Sequence, residues 1–158
     1  MNKKQKVIVI CGPTASGKTA LSIELAKKIN GEIVSADSMQ IYKDMNIGTA
    51  KPTKEEMQGI KHYLLDCVSP DLRYSVAQYK QDAKIAIKEI LSKGKTPIIV
   101  GGTGLYVDSL IYEIEYNDIK IDENYRKELE EISEKQGLEI LYKMASRPSC
   151  NEKNKSKW

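Results

Sequence analysis

No run of about 18 apolar residues occurs in this 158-residue chain, so no membrane-spanning helix is expected. The opening "MNKKQK" is basic, but the apolar "VIVICG" is too short for a signal-peptide core, and Pro13 follows at once. Cysteine is scarce. Cys11, Cys67 and Cys150 have neither paired nor metal-ligand spacing, which excludes a disulfide framework and points to free thiols in a reducing cytoplasm. Phenylalanine is absent, which makes tyrosine, with 9 copies, the default aromatic. Tyr42, Tyr74, Tyr79 and Tyr106 have faces that can stack on bases, but core or rim packing is the first expectation for them. No internal repeat is visible.

What remains is ordinary for one soluble domain: 41% hydrophobic and 30% charged residues, with a net charge of +3. The charge is unevenly spread. Residues 1–112 carry 16 basic and 11 acidic side chains, residues 113–142 carry 4 and 10, and residues 143–158 carry 5 and 1. A modestly basic first part suits a polyanionic partner, and suits a solvated lysine surface equally well.

"KVIVIC" (6–11) is a continuous apolar run that reads as a buried parallel strand. The next helix, "KTALSIELAKKIN", has Leu21, Leu25 and Ile29 at helical spacing, with Gly31 as its stop. "EIVSAD" and "KHYLLDC" read as strands two and three. "SVAQYKQDAKIAIKEILSKG" carries Val76, Tyr79, Ala83, Ile87 and Ile90 along one face and closes at Gly94. "TPIIVGG" reads as a fourth strand, and "TGLYVDSLIY" begins another helix. Alternating strands and helices predict an α/β fold with a parallel sheet flanked by helices over residues 1–112. Residues 113–146 are acidic and helical, the start of an all-helical insertion. Residues 147–158 have the composition of a disordered basic tail.

Gly12–Pro13–Thr14–Ala15–Ser16–Gly17–Lys18–Thr19 fits G-x-x-x-x-G-K-[ST] between a strand and a helix. Inward-turned N–H groups and the helix N-terminus would stabilise anionic oxygens. Lys18 adds a point charge, and the Thr19 hydroxyl is placed to ligate Mg²⁺. The loop thus predicts a di- or triphosphate without saying which. A triphosphatase usually adds an apolar strand ending in Asp. "PIIVGG" ends without an acid, whereas Asp66 after "HYLL" and Asp37 after "EIVSA" remain candidates. No "NKxD"-like guanine reader is present. Asp37, Ser38 and Gln40 lie just past a strand's carboxyl end, where open α/β sheets bind ligands. Asp37 suits metal ligation or proton acceptance, and equally an Asx turn. Thr103, in "GGTGLY", suits a hydrogen bond to substrate, and equally an N-cap. His62 is expected to be structural or to sit behind the site.

In order and at close spacing, "GPTASGKT", "DSMQIYKDMNIGTAKPT", "HYLLD", "YSVAQYKQDA" and "PIIVGGTGLYVDSL" closely resemble the tRNA dimethylallyltransferases, or tRNA isopentenyltransferases, over roughly residues 6–145. The "DSMQIY" and "GGTGLY" blocks are much more specific than the phosphate loop. The resemblance implies a P-loop-type fold whose loop holds, with Mg²⁺, the diphosphate of dimethylallyl diphosphate in place of ATP. It implies transfer of the five-carbon group to the exocyclic amine of an adenosine next to the anticodon of tRNA, the base being turned out of the anticodon stem-loop. Asp37 would take the amine proton, and Thr103 matches a threonine near the reacting amine and leaving group. Ser38, Met39 and Gln40 sit with them in the part that contacts the flipped nucleotide. Arg126 matches an arginine reaching toward the tRNA, against the competing expectation of a surface ion pair with a nearby glutamate. A cytoplasmic monomer that touches no membrane is implied.

The family is usually considerably longer. After "EILYKMASR" its arginine-rich continuation gives way here to "PSCNEKNKSKW". Weak tRNA affinity and an exposed apolar surface or unpaired strand edge are expected in consequence. Two competing functions are a small-molecule or nucleotide kinase using ATP, and a non-catalytic remnant.

Overall fold

A computed structural model of the chain describes residues 6–112, 114 and 123–146. It separates two compact units, Met1–Tyr116 and Asn117–Trp158. In the first unit, β1 (Ile8–Cys11), β2 (Gly31–Ser35), β3 (His62–Tyr63) and β4 (Thr96–Gly101) form an all-parallel sheet in the order β1-β4-β2-β3. The connections contain α1 (Lys18–Ile29), α2 (Lys54–Met57) and α3 (Val76–Ser92), and α4 (Gly104–Ile111) follows β4. The α/β class is as expected.

The apolar runs alternate faces. Ile33 and Ile98 pack with Ile23 and Ala26 of α1 on one side. Val34 and Ile99 pack with Tyr79, Ala83 and Ile90 of α3 and Val107 of α4 on the other. Helices on both faces explain why β2 is buried at every position. Tyr79 and Tyr106 stack on each other inside this core, with ring centroids 4.0 Å apart and planes 9° apart. The Tyr74 hydroxyl donates to Asp82 at 2.7 Å. These three tyrosines pack, as first expected.

Several boundaries differ from the sequence reading. α1 presents Ser22, Ile23 and Ala26 to the sheet, so Leu21 lies outside the packed stripe and is 56% exposed. The helix stops at Asn30, which adopts the left-handed conformation (φ 54°), and Gly31 already belongs to β2. The strand expected from "KHYLLDC" spans two residues. Leu64 and Asp66 take left-handed backbone (φ 56° and 54°), and the chain leaves β2 to run beside Gln40 and Ile41, whose carbonyls accept from Asp66 and Cys67 N–H at 3.2 and 2.9 Å. α2 was not foreseen, although Thr53 and Glu56 form a capping box.

At the sheet's amino edge, Glu32 is buried and accepts from Lys95 (2.7 Å) and the Tyr63 hydroxyl (2.8 Å). Burial pushes its pKa up. The bonds from Lys95 and Tyr63 and the charges of Lys95 and Lys93 outweigh that and hold it below the usual carboxylate value.

β1 behaves as an edge among the described residues. It pairs with β4, and none of its residues is fully buried. Val7, Leu105, Ile111 and Tyr112 are exposed as well, in line with the expected apolar surface and unpaired edge. Cys11 and Cys67 are free thiols. In the second unit α5 (Glu123–Gln136) and α6 (Leu138–Ala145) pack on each other. The tail expected over 147–158 lies outside the described residues. Among the described residues, no helix is long and apolar enough to cross a membrane.

One close approach fixes the carboxyl edge of the sheet. A Cβ at Gly101 would lie 2.0 Å from the Ala36 carbonyl oxygen and 2.3 Å from its carbon, which is backbone and has nowhere to go. At Gly102 the nearest atom would be Gly12 O at 3.4 Å. Gly101→Ala should therefore cost about 3 kcal/mol or more, and Gly102→Ala less than about 1 kcal/mol. Urea unfolding midpoints of the two variants check this; equal midpoints would contradict it.

Candidate active site

The phosphate loop leaves β1 and turns into α1 at Gly17, whose backbone is left-handed (φ 78°, ψ 9°). No side chain caps α1, and its first turn carries no acid. Its free N–H groups are thus left for an outside anion. α2 and α3 differ, since each closes its own N-terminus with a capping box: Thr53 with Glu56, and Ser75 with Gln78. Lys18 curls back onto its loop, with Nζ donating to Pro13 O at 2.5 Å and lying 3.5 Å from Ser16 Oγ. Ala15 is also left-handed (φ 62°).

Asp37 lies two residues past the end of β2. Its Oδ1 accepts from the N–H groups of Met39 (2.9 Å) and Gln40 (3.3 Å), an Asx turn. This leaves Oδ2 without a protein partner among the described residues. The Gln40 side-chain amide donates to the carbonyls of Thr49 and Ala50, both at 3.1 Å. It thereby holds that stretch beside the loop.

Thr103 stands at the N-cap position of α4 but makes no cap hydrogen bond. Its Oγ1 accepts from Ser38 N–H at 2.9 Å and donates to Ser38 Oγ at 3.2 Å. Its backbone N–H donates to Ala36 O at 3.1 Å. The "DSMQIY" and "GGTGLY" segments are thus tied together over a gap of 65 residues, and α4, like α1, has no side-chain cap.

These pieces surround a cleft of about 430 Å³ at the carboxyl ends of β1, β2 and β4. Of the predicted residues, Thr14 to Thr19, Asp37 and Gln40 line it. Gly12, Pro13, Ser38, Met39 and Thr103 are not among its lining residues; Ser38 and Thr103 adjoin Asp37 through the bonds just described. Glu24, Thr49, Ala50, Glu56 and Gln58 also line it, none of them foreseen. The Thr53-to-Glu56 spacing of a capping box was the one available signal for them.

Two candidates fall elsewhere. Asp66 pairs with Lys51 at 2.5 Å, and Lys51 also donates to Tyr42 O at 2.8 Å. Asp66 therefore serves a loop-to-loop ion pair and does not line the cleft. Arg126, in the second unit, lies 3.6 Å from Glu130 in an i,i+4 pair. His62 is half-buried, with Nδ1 2.9 Å from Ile60 O, and burial lowers its pKa, partly opposed by that hydrogen bond.

The chain is similar in sequence and fold to known proteins. Residues 40–155 match the family described as IPP transferase. The tRNA dimethylallyltransferase of Acetivibrio thermocellus is 61% identical over 136 residues, covering 86% of this chain and 44% of the relative. The full-length tRNA isopentenylpyrophosphate transferase of Bacillus halodurans superposes with a TM-score of 0.71 at 48% identity, over 90% of this chain and 47% of that one. A eukaryotic dimethylallyltransferase captured acting on tRNA superposes with a TM-score of 0.70 at 41% identity, over 72% and 28%. The chain spans less than half the length of these relatives. Its fold and sequence nevertheless agree with them over most of its own length, and the chain belongs to the IPP transferase family.

Proposed function

We propose that this chain carries the donor site of a tRNA dimethylallyltransferase, transferring a dimethylallyl group from its diphosphate to the exocyclic amine of an adenosine next to the anticodon. The observation that supports it most is the meeting, in one cleft, of an uncapped phosphate loop and the free oxygen of Asp37. The names of the relatives point the same way.

The chemistry follows from those parts. The loop N–H groups of Ala15 to Thr19 and the Lys18 ammonium receive the diphosphate oxygens, where negative charge grows as the allylic carbon–oxygen bond breaks. Lys18 exchanges Pro13 O for phosphate as it does so. The amine nitrogen forms the new bond to the allylic carbon and passes its proton to Asp37 Oδ2. An aromatic amine is a poor nucleophile, so a placed base is worth about 10²–10⁴-fold. Thr103 holds Ser38 by both backbone and hydroxyl, which leaves the Ser38 proton to be donated toward the incoming nucleotide.

Mg²⁺ fits the donor set. The Thr19 hydroxyl is a hard oxygen ligand lining the cleft beside the phosphate loop, and it would hold the ion together with the diphosphate oxygens. When bound it would neutralise charge on the diphosphate. The working partners are dimethylallyl diphosphate and the anticodon stem-loop of tRNA, with a monomeric protein in the cytoplasm. Arg126 would face the tRNA only by giving up Glu130.

Dimethylallyl diphosphate with Mg²⁺ at 100 times its Kd should stabilise the chain by about 2.7 kcal/mol, roughly 5–10 °C in Tm, and ATP should do less. A larger shift with ATP would favour a kinase instead. Lys18→Ala should weaken donor binding about 10–100-fold, read by calorimetry. Asp37→Asn preserves the turn acceptor but not the base. It should keep donor affinity while slowing single-turnover prenylation of an anticodon stem-loop by about 10²–10⁴-fold; an unchanged rate would remove Asp37 from the chemistry.

A further inference from the structure

A second cavity, of about 20 Å³, adjoins the donor cleft and shares Thr19, Gln40 and Val100 with it. Its other polar walls are Ser22, Ser35 and His62. A water molecule needs about 10–15 Å³ and two to four polar partners. The size therefore admits one water and little else.

The hydrogen-bond inventory of the walls is unbalanced. Ser35 is 5% exposed, and its buried hydroxyl has no partner. A buried polar atom of this kind calls for an explanation. Because Ile60 O can only accept, His62 Nδ1 must carry the hydrogen. Burial keeps the ring neutral, so Nε2 is a bare acceptor. Both amide hydrogens of Gln40 go to Thr49 O and Ala50 O, which also fixes the orientation of the amide and leaves Oε1 as a second acceptor. The Ser22 hydroxyl donates to Thr19 O at 2.8 Å. Two acceptors and one hydroxyl cannot satisfy one another. A molecule that donates twice and accepts once completes the set. A metal ion does not suit, since among the described residues no group of three or more His, Cys, Asp or Glu side chains exists to hold one.

We propose that this cavity holds one ordered water, donating to His62 Nε2 and Gln40 Oε1 and accepting from the Ser35 hydroxyl, and that His62 acts through it as a positioning residue for the donor cleft. The water fixes the Gln40 amide, and the amide holds the carbonyls of Thr49 and Ala50, which line the cleft. His62 itself touches no substrate. The positioning role rests on the donor reading given above; the water does not.

A crystal structure of the chain should show one water within hydrogen-bond distance of Ser35 Oγ and His62 Nε2. Calorimetry with Mg²⁺ and inorganic pyrophosphate should find His62→Leu weakened about fivefold to tenfold. His62→Gln, which returns an acceptor at a similar reach, should recover to within about twofold of the parent. Ser35→Ala combined with His62→Leu should cost no more than either alone, in affinity and in ligand-free Tm, because both break one node. A dry cavity, additive losses, or a Ser35→Ala chain that melts higher and binds as well as the parent would overturn the water node. A glutamine variant no better than leucine would overturn the positioning role. A parent chain that binds no pyrophosphate would sink the donor reading and the positioning role with it, while the crystal and the ligand-free melting cycle would still decide the water.

Discussion

Two backbones touch where β4 ends, and the site is built around that touch. Ala36 O sits where a Cβ of residue 101 would be, so the chain leaving β2 can cross the end of β4 only over a glycine. From this crossing the rest follows in short steps. Ala36 N–H donates to Val100 O at 2.8 Å, and Thr103 N–H returns to Ala36 O at 3.1 Å. Asp37 is the next residue, so its carboxylate is delivered to the cleft by backbone hydrogen bonds, before any side chain contributes. Gly102 meanwhile comes up against the first glycine of the phosphate loop. Three segments distant in sequence are thus placed by main-chain contacts. These are stiffer than side-chain contacts and lose less entropy when a ligand arrives.

The helix N-termini show the same economy. α2 and α3 satisfy their own first-turn N–H groups with Thr53 and Ser75. α1 and α4 do not. In α4 a threonine stands at the capping position, yet its hydroxyl is turned to Ser38. Both uncapped helices begin at the carboxyl edge of the sheet. Leaving a cap out costs roughly 1 kcal/mol, and at α1 it keeps the positive dipole end at the cleft that the phosphate loop lines. Of the four helices in the first unit, the two that follow β1 and β4 forgo a side-chain cap, while α2 and α3 keep theirs.

Much of this was legible from residue order alone. The phosphate-loop motif between an apolar run and a helical pattern pointed to Thr14 to Thr19, which line the cleft, and the α3 stripe from Val76 to Ile90 packs as expected. What escaped notice depended on long-range backbone geometry. The glycines of "TPIIVGG" read only as the end of a strand, but Gly101 is there because Ala36 is in the way. Thr103 offered two readings, substrate contact or cap, and in the folded chain its hydroxyl makes no cap and binds Ser38. "KHYLLDC" looked like a strand because its side chains are apolar. Periodicity cannot report left-handed backbone at Leu64 and Asp66. The Thr49–Ala50 wall of the cleft was hidden because it presents carbonyls held by Gln40, and no side-chain pattern announces a carbonyl.

Asp37 concentrates the tension between holding and reacting. One carboxylate oxygen accepts two backbone N–H groups and shapes the loop; the other is left for chemistry. A glutamate would reach past the turn and lose the first function. An asparagine would keep the turn and lose the second. A carboxylate with one oxygen pinned cannot rotate away from the cleft, so the base and the loop move together or not at all. Gln40, three residues later, carries that rigidity on to Thr49 and Ala50. The Thr49–Ala50 wall of the cleft is therefore tied through Gln40 to the Asp37 turn, which couples the shape of the pocket to the aim of the Asp37 carboxylate.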